Sequence, residues 1–260
     1  MAASRILIDL PARGQYCFTT AVAKQLLGSS DVAAHSTIQR LRKKGDIAMP
    51  YRGFYVIVPP EYRILGCLPA EQFIPSLMEH IGQPYYAGLL SAAQYHGAAH
   101  HRPQVFQIVT ARNKAPLECG KVRVDFIARK NVKEMPTSTI NTPRGMLRLA
   151  SPETTAFDLV GYPQHAGGLD NVATILAELA ERLDPDELAR LAELSPLPWS
   201  QRLGYLLDLV GMSEKSDPLA GYIAAKRPVT TRLVPSEPAD GTERNQRWQL
   251  LVNAIVEAEL

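Results

Sequence analysis

The segment from Ala34 to Lys44 carries the clearest chemical pattern in this chain. At 100° per residue, Ala34, Ile38 and Leu41 share one helix face. Ser36, Arg40 and Lys43 form the opposite stripe, with Gln39 and Lys44 beside it. Guanidinium, amide and hydroxyl groups on such a stripe can bond base edges in a DNA major groove, and ammonium groups can hold phosphates. Taken alone, the stripe has a bland alternative, because basic solvated helix faces are common. Arg52, at the expected tip of a following hairpin, supplies a further phosphate contact.

A second basic constellation lies further on. Val122, Val124 and Phe126 alternate with Lys121, Arg123 and Asp125, the pattern of a half-buried strand. Arg148 belongs to another expected strand, and Arg112 and Lys114 follow a third. If the three strands pair, these cations converge on one surface, suited to an acidic protein partner or a second nucleic-acid contact. The plain alternative is an exposed sheet face whose charges keep the protein soluble. Glu153 and Asp158 sit on one expected helix, five positions apart, so they do not share a face well. Glu153 suits the positive end of that helix. Asp158 either faces a partner or satisfies a buried arginine such as Arg148.

Catalytic signatures are missing. Gly28-Ser29-Ser30-Asp31 has the Gly-Ser of nucleotidyltransferases, but Asp31-Val32-Ala33 fails the test of two carboxylates one residue apart. No phosphate-binding loop, dinucleotide fingerprint or nucleophile elbow occurs. Around Asp125 and Lys130, Ala128 stands where a metal nuclease needs its second carboxylate. His96, His100 and His101 cluster, yet Gly97 is expected to end the helix that would align them, which favours a loop or partly buried group over a metal site. Cys17, Cys67 and Cys119 are scattered and odd in number, implying neither a disulfide framework nor a zinc site and fitting a reducing compartment. No catalytic, metal or cofactor site is expected.

The elements that must position these groups can be placed from punctuation and period. Residues 3–10 read as a helix broken by Pro11 and Gly14. Thr19 and Thr20 cap a helix over about 21–27 that Gly28 ends. A longer helix starts within 31–34 and runs to Lys44, with Gly45 as its stop. Ile47–Met49, a turn at 50–53 and Phe54–Ile57 form a β-hairpin, and Pro59-Pro60 closes the segment. Residues 69–97 read as helix in two pieces split by Gly82-Gln83-Pro84. Strands are expected at 104–110, 121–127 and 146–150, after which Ser151-Pro152-Glu153 opens a helix. Leu203, Leu206, Leu207 and Val210 repeat at helical spacing and, with Trp199, read as core. Residues 212–245 read as loop-rich, and Trp248–Val256 as apolar but of uncertain type.

The expectation is therefore an α+β, multidomain chain. Residues 1–60 form a winged helix-turn-helix, and residues 61–260 a mixed α/β domain with strands at about 104–150 and a mainly helical 151–260. The 260 residues suffice for two domains, and 46% apolar with 21% charged residues is ordinary globular composition. The net charge of +2 conceals +5 over residues 1–60, +7 over 101–150 and −8 over 151–260, so different parts are suited to different partners. No apolar run reaches the ~20 residues of a membrane span, and MAASRILIDL lacks a signal-peptide core and cleavage site, so a cytoplasmic location is expected.

Four stretches also carry a family resemblance: KKGDIAMPYRGFYV at 43–56, YYAGLLSAAQYHG at 85–97, ASPETTAFDLV at 150–160 and RLGYLLDLVG at 202–211. With the terminal WQLLVNAIVEAEL, their order resembles the AbiEi antitoxin family of type IV toxin–antitoxin systems, across nearly the whole chain. The resemblance implies a protein that binds and represses its own promoter through the winged domain, at an inverted repeat, as a monomer binding cooperatively. It implies a C-terminal domain that opposes a co-expressed nucleotidyltransferase toxin, with no catalysis by this chain. Arg112, Lys114, Lys121, Arg123, Arg148 and Asp158 are then the candidates for antitoxin function. The rival is a stand-alone winged-helix regulator whose C-terminal domain senses a ligand or oligomerises. One departure matters: the family often has Ser-Pro-Glu-Arg-Thr, and Thr154 replaces that arginine here, removing any partner contact it makes in relatives.

Overall fold

The structure is a computed structural model that describes residues 5–98 and 103–259. Its contacts divide the chain into two compact units. The first holds Met1–Tyr86, Gln104–Val132 and Thr139–Arg148; the second holds Ala87–Pro103, Lys133–Ser138 and Leu149–Leu260. The class is mixed α+β, with ten α-helices and several sheets among the described residues.

The first unit opens with a π-helical turn, Arg5–Asp9, running into the short α1 (Leu10–Ala12). Pro11 lies in the first turn of α1, where its missing N–H costs no hydrogen bond, so it does not break the helical segment as the sequence suggested. β1 (Cys17–Thr19) follows, a strand too short to show a period. Thr19 caps α2 (Thr20–Leu27), accepting from the Val22 N–H at 3.3 Å, and Gly28 ends it in the left-handed region. Ser30 caps α3 (Asp31–Lys43) by accepting from the Ala33 N–H. β2 (Ile47–Tyr51) and β3 (Phe54–Ile57) make the expected hairpin, and β1 pairs antiparallel with β3 to give the order β1-β3-β2. The apolar faces close on one core that includes Ile6, Leu10, Phe18, Ile38, Leu41 and Tyr55.

α4 (Ala70–Ile81) forms as expected and ends at Gly82. The second helical piece is corrected: Tyr85–Ala87 is a strand, β4, and only Leu89–Tyr95 is helix, α5. Tyr-Tyr-Ala is fully buried, and a short apolar run does not distinguish strand from helix. A six-stranded sheet has the order β6-β7-β5-β4-β9-β8. It is built from β4, β5 (Phe106–Thr110), β6 (Leu117–Cys119), β7 (Val122–Ala128), β8 (Thr137–Thr142) and β9 (Gly145–Ala150). β5 and β7 are parallel, with Phe106 opposite Val124 and Thr110 opposite Ala128, and β6 is antiparallel to β7.

In the second unit, Ser151 caps α6 (Pro152–Gly161), and every residue from Glu153 to Val160 is buried. α7 (Leu169–Leu179), α8 (Pro185–Ala192) and α9 (Leu197–Leu209) follow. Asp184 caps α8 through the Asp186 and Glu187 N–H groups. Leu203, Leu206 and Leu207 are fully buried, and Trp199 packs edge-on against Tyr162 at 5.1 Å. Residues 212–245 are corrected from loop in part, because Ser213–Lys226 is helix, α10, despite Pro218. Thr231–Arg232 (β10), Arg244–Asn245 (β11) and Leu250–Leu251 (β12) make a small sheet. Gly204 is required where it stands: a Cβ there would meet the Trp248 ring at 2.1 Å.

Candidate nucleic-acid interface and basic sheet

The face of α3 divides as its sequence dictates. Ala34, Thr37, Ile38 and Leu41 are buried, while Ser36, Arg40, Lys43 and Lys44 are exposed and Gln39 is half-buried beside His35. Among the described residues, no carboxylate lies within ion-pair distance of Arg40, Lys43 or Lys44. Asp31, at the start of the helix, is held instead by Lys24 at 2.8 Å. The far end of α3 is anchored from outside. Arg63 donates to the Lys44 carbonyl at 3.0 Å and forms an ion pair with Asp46. Sequence reasoning missed Arg63, since nothing local marks a residue that caps a helix from nineteen positions away.

Arg52 is exposed at the hairpin tip. Beside it Tyr51 is 42% exposed, with the Lys114 ammonium 5.5 Å above its ring and His80 edge-on at 6.4 Å. A cation over an aromatic face fixes the ring while leaving it wet. The structure thus brings Lys114, expected in the sheet cluster, to the hairpin instead. Tyr51 was not singled out by the sequence, although an aromatic next to Arg52 is a legible signal for stacking or phosphate contact.

The sheet cations do not converge as expected. Arg123 sits near the start of β7, opposite Glu118 on β6, and pairs with it at 3.4 Å with both side chains more than half exposed. Arg112 follows the far end of β5, level with Ala128. About five residues of strand, roughly 16 Å at ~3.3 Å each, separate the two levels. Arg148 lies on β9, three strands from β7. Parallel pairing of β5 and β7 is the reason, because it puts the end of one beside the end of the other rather than beside its start. Lys121, Arg112 and Arg148 are exposed. Two other arginines of this basic stretch are structural. Arg129 is buried and donates to Asn131. Arg144 stacks 3.5 Å over Tyr16, donates to Gln72 at 2.7 Å and pairs with Glu61.

Asp158 is fully buried in α6, so it offers no surface to a partner, and Arg148 is exposed rather than buried as expected. Glu153 is also buried and accepts from the Asp184 N–H at 3.0 Å, tying the start of α6 to the cap of α8. Thr154 donates its N–H to Ser151 Oγ and its hydroxyl to the Pro136 carbonyl at 3.0 Å. It is fully buried, so at this position the chain has an internal anchor. His96 bonds the Ala150 carbonyl at 2.8 Å, and burial holds its pKa below the usual histidine value. His100 and His101 lie outside the described residues. Among the described residues no group of three or more His, Cys, Asp or Glu could hold a metal ion. No helix among them is long and apolar enough to cross a membrane.

The fold defines a mixed α+β protein of two compact units that presents an exposed basic helix face. The comparisons make this specific. A model described as "Transcriptional regulator, AbiEi antitoxin" matches residues 5–58, and one described as "AbiEi antitoxin C-terminal domain" matches residues 86–209. The chain belongs to the AbiEi antitoxin family. Among solved structures, the crystal structure of the RV2827C protein from Mycobacterium tuberculosis is similar over 100% of this chain and 92% of its own, with TM-score 0.70 and 20% identity. That likeness shows a shared fold. The solution structure of the antibiotic-resistance factor ANT(2'')-Ia aligns over 46% of this chain and 86% of its own at 12% identity, with TM-score 0.31. No curated protein matches the chain.

Proposed function

We propose that this chain is the antitoxin of a type IV toxin–antitoxin system that represses its own operon by binding promoter DNA and opposes a cognate nucleotidyltransferase toxin without catalysis of its own. In this reading residues 1–60 are a winged helix-turn-helix. α3 enters the major groove with Ser36, Gln39 and Arg40 toward base edges, Lys43 and Lys44 hold phosphates, and the hairpin carrying Arg52 is the wing. The observation that carries it is the exposed face of α3, where Arg40, Lys43 and Lys44 have no carboxylate partner among the described residues. A face left electrostatically uncompensated suits a polyanion. Residues 61–260 carry the antitoxin function, with Arg112, Lys121, Arg123 and Arg148 as toxin-facing charges and Lys114 shared with the wing. The protein binds an inverted repeat as a cooperating monomer, in the cytoplasm.

The test is a gel-shift titration on the chain's own promoter against a scrambled duplex of equal length and composition. Preference for the promoter, lost when the inverted repeat is disrupted, supports the reading. Equal affinity for both duplexes removes it.

A further inference from the structure

The loop after the hairpin and the turn between β6 and β7 meet main chain to main chain within the first unit. The Lys121 N–H donates to the Leu65 carbonyl at 2.8 Å. Gly120, at φ +59°, comes so close that a Cβ would stand 2.2 Å from Leu65 O and 2.9 Å from Gly66 Cα. Cys67 directly follows Gly66 and Cys119 directly precedes Gly120, so this close approach of two turns sets the two cysteines on facing segments. The thiols do meet, the Cys67 S–H donating to Cys119 Sγ. Both are free thiols, and Cys17, the third cysteine, lies in β1 beside Ser76, within electrostatic reach of Cys67.

We propose that Cys67 and Cys119 are a redox-active dithiol that a hydroperoxide converts to a reversible intrachain disulfide. Cys119 is the nucleophile. It is 8% exposed whereas Cys67 is fully buried, so the oxidant reaches Cys119 first. The Cys67 hydrogen bond, the Met49 main chain and the Arg42 guanidinium all favour its thiolate. Its sulfur attacks one peroxide oxygen and the O–O bond breaks. The departing hydroxide takes the proton that the Cys119 thiol gave up and leaves as water, with sulfenic acid remaining on Cys119. The Cys67 sulfur then attacks the Cys119 sulfur. The S–S bond forms, the S–O bond breaks, and the Cys67 proton leaves with the hydroxide as a second water. The two thiols lose two electrons and two protons, and hydrogen peroxide gains both. β6 packs against β2, so the bridge sits one strand from the hairpin that presents Arg52.

The experiment treats the reduced full chain with a small excess of hydrogen peroxide, alkylates with iodoacetamide and maps peptides by mass spectrometry. The expected result is a Cys67–Cys119 cross-link in most molecules, reversed by dithiothreitol, with Cys17 alkylated. In Cys67→Ser the sulfenic acid has no resolving partner, so dimedone labels Cys119. Alkylation of both Cys67 and Cys119 after peroxide, a bridge containing Cys17, or no dimedone adduct in a folded Cys67→Ser chain would each overturn the proposal.

Discussion

Arg40→Ala separates recognition from stability. Arg40 is exposed on α3 and has no carboxylate partner among the described residues, so its removal leaves folding within about ±0.5 kcal/mol. If its guanidinium reads a guanine edge, the loss is about 1–3 kcal/mol, roughly a 5- to 150-fold weaker promoter complex, with base preference relaxed at one position. Lys44→Ala is the contrasting change. The Arg63 contact to residue 44 uses the main-chain carbonyl and survives it. Its effect is a uniform weakening on all duplexes and a salt slope shallower by about 0.9, one phosphate contact. Leu41→Ala is the control from the opposite face. Its side chain is 2% exposed, and truncation costs about 2–5 kcal/mol of stability. Fluorescence-anisotropy titrations at several salt concentrations, with urea melts of each variant, resolve the three signatures. Arg40→Ala with unchanged promoter affinity and unchanged melting would refute the assignment of this face to DNA.

Three further outcomes are expected. Asp208 accepts from Trp248 Nε1 at 2.7 Å and Ser216 Oγ at 2.6 Å and pairs with Arg247, so Asp208→Ala, which strands a buried indole N–H, should cost about 2–4 kcal/mol in a urea melt. His96 has a folded pKa below the unfolded value of about 6.5. The unfolded state therefore binds more protons as pH falls through that value, and stability present above it is lost toward the lower folded pKa. Wild-type melting points should drop between pH 8 and pH 5 by more than those of His96→Gln, and identical pH profiles would remove His96 as a contributor. Replacing Arg112, Lys121, Arg123 and Arg148 together by Glu should abolish growth protection against the toxin while promoter binding persists. Single changes should each alter affinity by about 0–1 kcal/mol, and full rescue by the folded quadruple variant would exclude these charges.

What the sequence determined by itself is local. Caps and stops are written in adjacent residues, so Thr19, Gly28 and Ser151 placed helix ends correctly. The hairpin at 47–57 and the buried and exposed faces of α3 follow from turn chemistry and the 3.6-residue period. Strands of three residues such as β1, β4 and β6 are shorter than any period, and β8, Thr-Ser-Thr-Ile-Asn-Thr, carries no apolar alternation. Only pairing with neighbours makes them strands. Tertiary structure alone decided the rest. The order β6-β7-β5-β4-β9-β8 spread cations that sequence spacing had seemed to gather, and packing carried Lys114 to Tyr51. It also buried Asp158 and set Cys67 against Cys119 through a main-chain approach that only Gly120 permits. Contacts between segments far apart in the chain depend on strand order and on which backbones can approach, and neither is encoded in the spacing of residue types.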